Sequence, residues 1–334
     1  MIVHTRTPYR VSLFGGGSDY NSWLLGNSGA TISFSIQYYS NIFIRRLSPV
    51  FQSKYRIRYY NREEVMLPEL VQHPIIRHSL NRWISKHSEA NDLALDIIHS
   101  GDLPAMTGMG TSSAFTVGLV KALESMVGST ISKQELAREA ILIEQVLNGE
   151  TVGYQDQVAA SFGGINFVEY YAPNSFRVFP VDFDSNWLSE FLGSLRLVFT
   201  GLTRHSSEAA SDMVTNIHRS REKISANVEE AHMCHEIITK SMDHSKIGSM
   251  LAESWERKKS LSPKISNERI DKIYQFLIQA GATGGKILGA GGGGFILVYI
   301  PQNRISSFLR ETSTLTVLPL EIDWSGATTN VLFF

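Results

Sequence analysis

The residue types best suited to chemistry in this chain gather in three glycine-rich segments and one acidic segment. Residues 104–114 begin with Pro104, hold Gly108, Met109 and Gly110, and continue into Thr111, Ser112, Ser113 and a helix-forming stretch. Glycine lets a backbone turn tightly and approach a ligand closely. The first N–H groups of a helix lack intrahelical partners and lie at the positive end of its dipole. Such a loop suits a phosphate, with the three hydroxyls as further donors or metal ligands. By itself it also suits an ordinary serine-capped helix. It lacks the Gly-Lys-Ser/Thr spacing of a Walker A loop.

Residues 284–294 contain the string Gly-x-Gly-x-x-Gly. A dinucleotide fingerprint runs strand, glycines, helix. Here a helical pattern precedes the glycines and the apolar run 295–300 follows them. Gly291, Gly292 and their neighbours therefore read as a loop pressed against something bulky, the phosphate loop or its ligand. The third segment places Gly15, Gly16 and Gly17 ahead of Ser18 and Asp19, with Arg10 upstream. Asp19 has the chemistry to accept hydrogen bonds from sugar hydroxyls, and Arg10 to pair with a phosphate or carboxylate. The acidic segment carries Glu144, Glu150 and Asp156. On a helical wheel Glu144 falls at the edge of the stripe Leu136, Ala140 and Leu147, where a glutamate ordinarily reaches solvent. Asp156, in a glycine-flanked loop, reads by itself as a cap or turn residue.

The elements that must position these residues follow from periodicity. Ile32, Phe34, Ile36 and Tyr38 alternate with polar residues, which predicts a half-buried strand, and Ile42 and Ile44 extend it. Residues 55–60 and 93–98 read as further strands, with a helix over 73–86 between them. Residues 112–126 form a helix, and Ser132 with Glu135 makes a capping box that opens another through Leu147. Strands are expected over 165–170, 195–200 and 295–300, and helices within 206–242 and over 266–280, the latter stopped by Gly281. Periodicity is weak between Phe176 and Leu192, which suggests a domain boundary.

Composition narrows the classes. At roughly 100–200 residues per domain, 334 residues suggest two domains or one large one. A formal net charge of -1 excludes a strongly basic nucleic-acid binder. The single cysteine, Cys234, excludes a disulfide framework and fits a reducing compartment such as a cytoplasm. The apolar run 295–300 is of strand length, far short of the ~18 residues of a membrane span. The first residues lack the apolar centre of a signal peptide.

Taken together and in this order, the segments resemble the GHMP kinases, whose three motifs correspond here to residues 8–19, 104–114 and 286–294. Many sugar-kinase members carry Gly-Glu-His where this chain has Gly15, Gly16 and Gly17. A triple glycine followed by Ser/Thr-Asp is similar to the branch that phosphorylates heptose phosphates. So are residues 101–104, 152–157 and 199–204, and Trp255 with residues 258–261.

The resemblance implies an α+β, two-domain fold: a ribosomal-protein-like βαβ nucleotide domain over 1–190 and a ferredoxin-like domain over 191–334, with the site between them. It implies an ATP- and Mg²⁺-dependent kinase that moves the γ-phosphoryl of ATP to the anomeric hydroxyl of D-glycero-α-D-manno-heptose 7-phosphate. Another sugar-1-kinase, L-fucose-like, and a non-catalytic nucleotide or sugar sensor are the alternatives. Implied nucleotide-binding residues are Pro104, Gly108, Met109, Gly110, Thr111, Ser112 and Ser113, with Ser112 and Glu144 as Mg²⁺ ligands. Asp156 would lie beside the attacked hydroxyl, with Arg10 pairing it or the transferred phosphate. Gly16, Gly17, Ser18, Asp19, Arg204, Gly291 and Gly292 would face the acceptor. A phosphorylated acceptor needs its own cations. Arg45, Arg46, Lys54, Arg56, Arg58, Lys258 and Lys259 compete with Arg204, which matches an arginine of the heptose branch. The expected partners are small molecules, not nucleic acid or membrane, and a homodimer is compatible with the chain.

Overall fold

The structure, a computed structural model, describes residues 1–203 and 220–333. Its larger sheet is organised around one long strand. Strand β2 (Gly29–Arg46) lies antiparallel to β1 (Ile2–Phe14) along most of its length. Its C-terminal half pairs with β5 (Leu95–Gly101), which lies parallel to β3 (Tyr55–Arg58), itself paired with β4 (Arg62–Val65). Its N-terminal half pairs instead with β6 (Ile165–Ala172), and β6 with β7 (Ser175–Pro180).

The alternating pattern of β2 predicts one solvated face, but Ile32, Phe34 and Ile36 and also Thr31, Ser33 and Ser35 are buried. Helices cover both sides. The Ser35 hydroxyl donates to the Ala159 carbonyl of α5 (Gln155–Phe162) at 2.8 Å. On the other side Phe167, opposite Ile32, stacks on His235 of the helix Arg221–Thr239. The hydroxyl face is a core face: a helix carbonyl satisfies Ser35, and the Tyr170 hydroxyl pairs with Thr31 at 2.9 Å.

The first short helix, α1 (Asn21–Leu24), follows the glycine turn. Helix α3 (Thr111–Met126) packs on β1 and β2, where the Thr5 hydroxyl donates to the Gly118 carbonyl at 3.0 Å. Helices α2 (Pro74–Lys86) and α4 (Lys133–Ile141) flank it. The capping box forms as the pattern predicts, Ser132 and Glu135 each accepting the other's backbone N–H. The helix does not continue regularly. Residues Leu142–Leu147 form a π-turn, in which the Asn148 N–H donates to the Ile143 carbonyl, five residues back. The wider turn shifts the helical phase, so a wheel drawn at ~3.6 residues per turn misplaces Glu144. Asp156 lies in the first turn of α5 and not in a loop.

The weakly periodic stretch 176–192 holds β7 and α6 (Ser185–Gly193), whose Asp184 cap accepts the N–H groups of Asn186 and Trp187. After it comes a four-stranded antiparallel sheet of β8 (Leu195–Phe199), β9 (Gly284–Ile287), β10 (Phe295–Tyr299) and β11 (Val317–Leu318), in the order β11-β8-β10-β9. This is the strand order of a ferredoxin-like unit, with helices between β8 and β9 and between β10 and β11 and the glycine loop alone between β9 and β10. Strand β12 (Thr328–Leu332) then returns to the edge of the larger sheet beside β1. One apolar cluster joins the two sheets, with Val11, Phe34 and Leu119 from one side and Leu197, Cys234, Leu251 and Leu297 from the other. Among the described residues no helix is long and apolar enough to cross a membrane.

Candidate active site

A cavity of about 930 Å³ is lined by all three glycine segments and by the start of α5. Two of the segments press directly on each other. A Cβ on Gly108 would lie 2.4 Å from the Leu288 carbonyl oxygen, and one on Gly289 would lie 2.5 Å from the Gly108 Cα. The third glycine loop is thus seated on the phosphate loop, and only glycine permits that approach.

Strand β1 delivers Arg10 to this seam. Its N–H donates to the Met109 carbonyl at 3.0 Å, and its Nη1 to the Gly108 carbonyl at 2.6 Å. The rest of the guanidinium grips Asp156 at both oxygens, Nε to Oδ1 at 2.7 Å and Nη2 to Oδ2 at 2.8 Å. The arginine side chain is 6% exposed and the aspartate 28%, so the carboxylate keeps access to the cavity while its charge is balanced. Gly110, at φ 69°, is the N-cap of α3, and a Cβ there would meet Arg10 Cγ at 3.1 Å and Asp156 Oδ2 at 3.2 Å. No side chain caps this helix end, and Thr111, Ser112 and Ser113 all line the cavity beside it.

Glu144 is fully buried behind that wall. Its Oε2 accepts the Ser113 hydroxyl at 2.9 Å and the Gln157 amide at 2.5 Å, while Oε1 has no partner. Burial pushes its carboxyl up to about 7, against hydrogen bonds that favour the charged form. Glu144 is therefore not the solvent-reaching glutamate that the wheel predicts. The hydroxyl that reaches it is that of Ser113, whereas Ser112 is exposed at the cavity wall. A hydrated Mg²⁺ takes one or two protein oxygens beside phosphate oxygens. The orphaned Glu144 oxygen and the neighbouring serine hydroxyls fit that demand.

The two ends of the cavity differ. Around one lie Tyr59, Tyr60, His73, His99, Met106 and Phe115. His99 meets Phe115 edge-on at 4.8 Å, and burial, then the neighbouring His73, pushes its imidazole down to about 4. This end is aromatic and uncharged near neutral pH. Around the other lie Gly15, Gly16, Gly17, Asp19, Asn227, Ser254, Lys258, Lys286 and Gly291. Asp19 is buried, and burial raises its pKa. Its oxygens already accept the N–H groups of Gly17 at 3.2 Å and Gln155 at 3.1 Å, so it braces two loops as well as facing the cavity.

Several residues predicted at the site do not line its wall. The Ser18 hydroxyl is buried and closes the glycine turn onto the Gly15 carbonyl at 2.8 Å. Met109 is a core side chain. Pro104 is exposed, and its carbonyl accepts the Thr107 hydroxyl. The Gly292 N–H donates to the Ile265 carbonyl at 2.8 Å. Arg204 lies outside the described residues. Conversely, sequence reasoning passed over Tyr59, His73 and His99, which share no local motif, and gave no site role to Lys286, which opens the third glycine motif.

Comparison with known proteins identifies the family and the fold. The GHMP kinases N terminal domain matches residues 76–164 and the GHMP kinases C terminal domain residues 235–312. The chain is 30% identical to a D-glycero-alpha-D-manno-heptose 7-phosphate kinase of Campylobacter jejuni, over 90% of both chains. It is 26% identical to a bifunctional fucokinase/GDP-fucose pyrophosphorylase of Arabidopsis thaliana, over 91% of this chain and 30% of that protein. In fold it matches the crystal structure of a D-glycero-D-manno-heptose 1-phosphate kinase from Bacteriodes thetaiotaomicron. The TM-score is 0.82 at 24% identity, covering 99% of this chain and 100% of that one. The phosphate loop at the head of α3, the glycine loop seated on it and these matches lead to one conclusion: the chain belongs to the GHMP kinase family.

Proposed function

We propose that the protein is an ATP-dependent sugar-1-kinase that moves the γ-phosphoryl of ATP to the anomeric hydroxyl of D-glycero-α-D-manno-heptose 7-phosphate. The product would be the 1,7-bisphosphate used to make nucleotide-activated heptose for surface polysaccharide. The observation that carries the reading is the doubly hydrogen-bonded Arg10–Asp156 pair, set beside the uncapped start of α3 in a cavity with an aromatic end and a cationic end. The heptose 7-phosphate kinase relative supports the choice of acceptor.

Phosphoryl transfer passes through a loose transition state with charge spread over the phosphoryl oxygens, so positioning and electrostatics dominate. The N–H groups at the start of α3 meet that charge, and the hydroxyls of Thr111, Ser112 and Ser113 add donors. Adenine stacks at the Tyr59–His73–Phe115 end. Asp156, held by Arg10, orients the anomeric hydroxyl and accepts its proton as the bond to phosphorus forms. Ser112 and Glu144, with Ser113 bridging to the carboxylate, would hold Mg²⁺, which when bound neutralises charge on the terminal phosphates of ATP.

The test is ATP turnover with synthetic α- and β-heptose 7-phosphates and L-fucose, the product being located by phosphorus NMR. The α-heptose 7-phosphate should be consumed fastest, with a new anomeric phosphate resonance. Faster turnover of L-fucose, or none of any sugar, overturns the assignment.

A further inference from the structure

The acceptor end of the cavity holds more positive charge than the transfer step uses. Arg10 is balanced by Asp156. Lys258 and Lys286 line the same end, and among the described residues neither makes an ion pair with a carboxylate. Glu230, the acid that acts on Lys286 electrostatically, is already engaged by Arg257 at 2.9 Å. Both ammonium groups rest on backbone carbonyls instead. Lys258 Nζ donates to Ile287 at 2.9 Å and Gly289 at 2.5 Å, and Lys286 Nζ donates to Leu13. An ammonium has three donors. Lys258 therefore keeps one N–H and Lys286 two, with the Phe14 ring 5.1 Å from the Lys286 ammonium.

Four of the other cations considered from sequence are engaged elsewhere. Arg45 and Arg58 both bind Asp96, Arg56 binds Glu64, and Lys259 pairs with Glu256. None of the four lines the cavity.

The position separates this pair from the aromatic end, at which adenine is placed. Lys286 reaches the end of β1, whereas His99 lies on β5 and Tyr59 follows β3. In the sheet order β1-β2-β5-β3, that is two to three strands away, roughly 10–15 Å. An uncharged sugar gives no reason to hold two buried cations there, because burying an unpaired charge is costly.

We propose that Lys258 and Lys286 form the seat for a phosphomonoester on the acceptor, distinct from the phosphates of ATP. This rests on the reading of the protein as a sugar-phosphate kinase and names the residues that select the phosphorylated acceptor. Burial lowers both lysines, Lys286 to about 8 and Lys258 well below its ordinary range; Lys286 and Arg10 depress Lys258 further, and Arg10 and Arg257 depress Lys286. A bound dianion relieves that repulsion.

The test uses inorganic phosphate as probe, titrated calorimetrically into the full-length protein saturated with a non-hydrolysable ATP analogue. Wild type should bind phosphate with the analogue in place. Lys286→Met should weaken phosphate at least about tenfold, and should raise KM for heptose 7-phosphate by a similar factor while kcat and KM for ATP stay within about threefold. Lys258 also grips the glycine loop, so Lys258→Met is paired with Lys258→Arg, which should restore most of the phosphate affinity. If Lys258→Met unfolds, Lys286→Met decides alone. Phosphate displaced by the analogue, or variants that lose analogue affinity in place of phosphate affinity, overturns the seat. Turnover of heptose 7-phosphate with KM unchanged in Lys286→Met removes the seat and leaves the kinase assignment standing. Phosphate binding as expected without turnover of any heptose phosphate keeps the seat and removes that assignment.

Discussion

At one end of the cavity Tyr59, His73, His99 and Phe115 present rings and no net charge; at the other Lys258 and Lys286 hold to the backbone carbonyls of Ile287, Gly289 and Leu13. A chain of net charge -1 therefore builds its anion-binding field locally, from the start of one helix and three side chains. The rings recognise a flat, weakly polar group by stacking, which tolerates small displacements. The cations recognise a compact dianion, and they keep enough freedom to do so because their anchors are neutral carbonyls. The Arg10–Asp156 pair sits between the ends and belongs to neither.

The largest expected effect comes from that middle pair. Asp156→Asn keeps the shape and removes the proton acceptor, so kcat should fall about 10²–10⁴-fold with both Michaelis constants little changed, measured by coupled ATP consumption. A folded variant within fivefold of wild type, roughly 1 kcal/mol, would remove Asp156 from the reaction.

Glu144→Gln should come next. It should raise the Mg²⁺ concentration needed for half-maximal turnover at least about tenfold. Glu144 has its folded pKa raised to about 7 by burial, above its ordinary 4.5, so the fold favours its protonated form. The stability it contributes is complete below pH ~4.5 and is lost as pH rises through 7. The metal-free protein should therefore lose melting temperature from pH 5 to pH 8, and Glu144→Gln should flatten that decline. A parallel decline in both proteins removes Glu144 as its cause.

The cationic end has its own pH signature. Burial pushes Lys286 down to about 8; Glu230 and Cys234 oppose the shift, and Arg10 and Arg257 add to it. Lysine is charged below its pKa, so KM for the phosphorylated acceptor should rise several-fold between pH 7 and pH 9. KM for ATP should not follow it, and a parallel rise in both would erase the distinction between the ends. The smallest effect belongs to the aromatic end. Tyr60 is 89% exposed and meets Tyr59 edge-on, so Tyr60→Ala should leave the fold intact and raise KM for ATP by about two- to fivefold. An effect on acceptor KM alone would reverse the assignment of the ends.

Much of this was legible from local pattern. The capping box at Ser132 and Glu135, the helix after Gly110 and the stop at Gly281 are all set by short-range hydrogen bonding and backbone preference. The pressing of one glycine loop on another was legible too, because consecutive glycines make sense only where backbones come close. The solvated face of β2 was misread, because hydroxyl side chains are equally at home in water and under a helix carbonyl. Glu144 was misread because a π-turn changes the phase without changing the residue pattern. Strand β1 and the return strand β12 passed unnoticed, since their partners are remote in sequence and neither has a clean period of two.

The sequence by itself determined which segments form the glycine loops and helix starts of the candidate site and in what order they occur, since turn geometry, helix starts and glycine freedom are properties of a few consecutive residues. Only the tertiary structure decided which charges face one another. Arg10 meets Asp156 across 146 residues, and Lys286 meets Leu13 across 273. Electrostatic energy depends on distance and burial, and neither is written in the spacing along the chain.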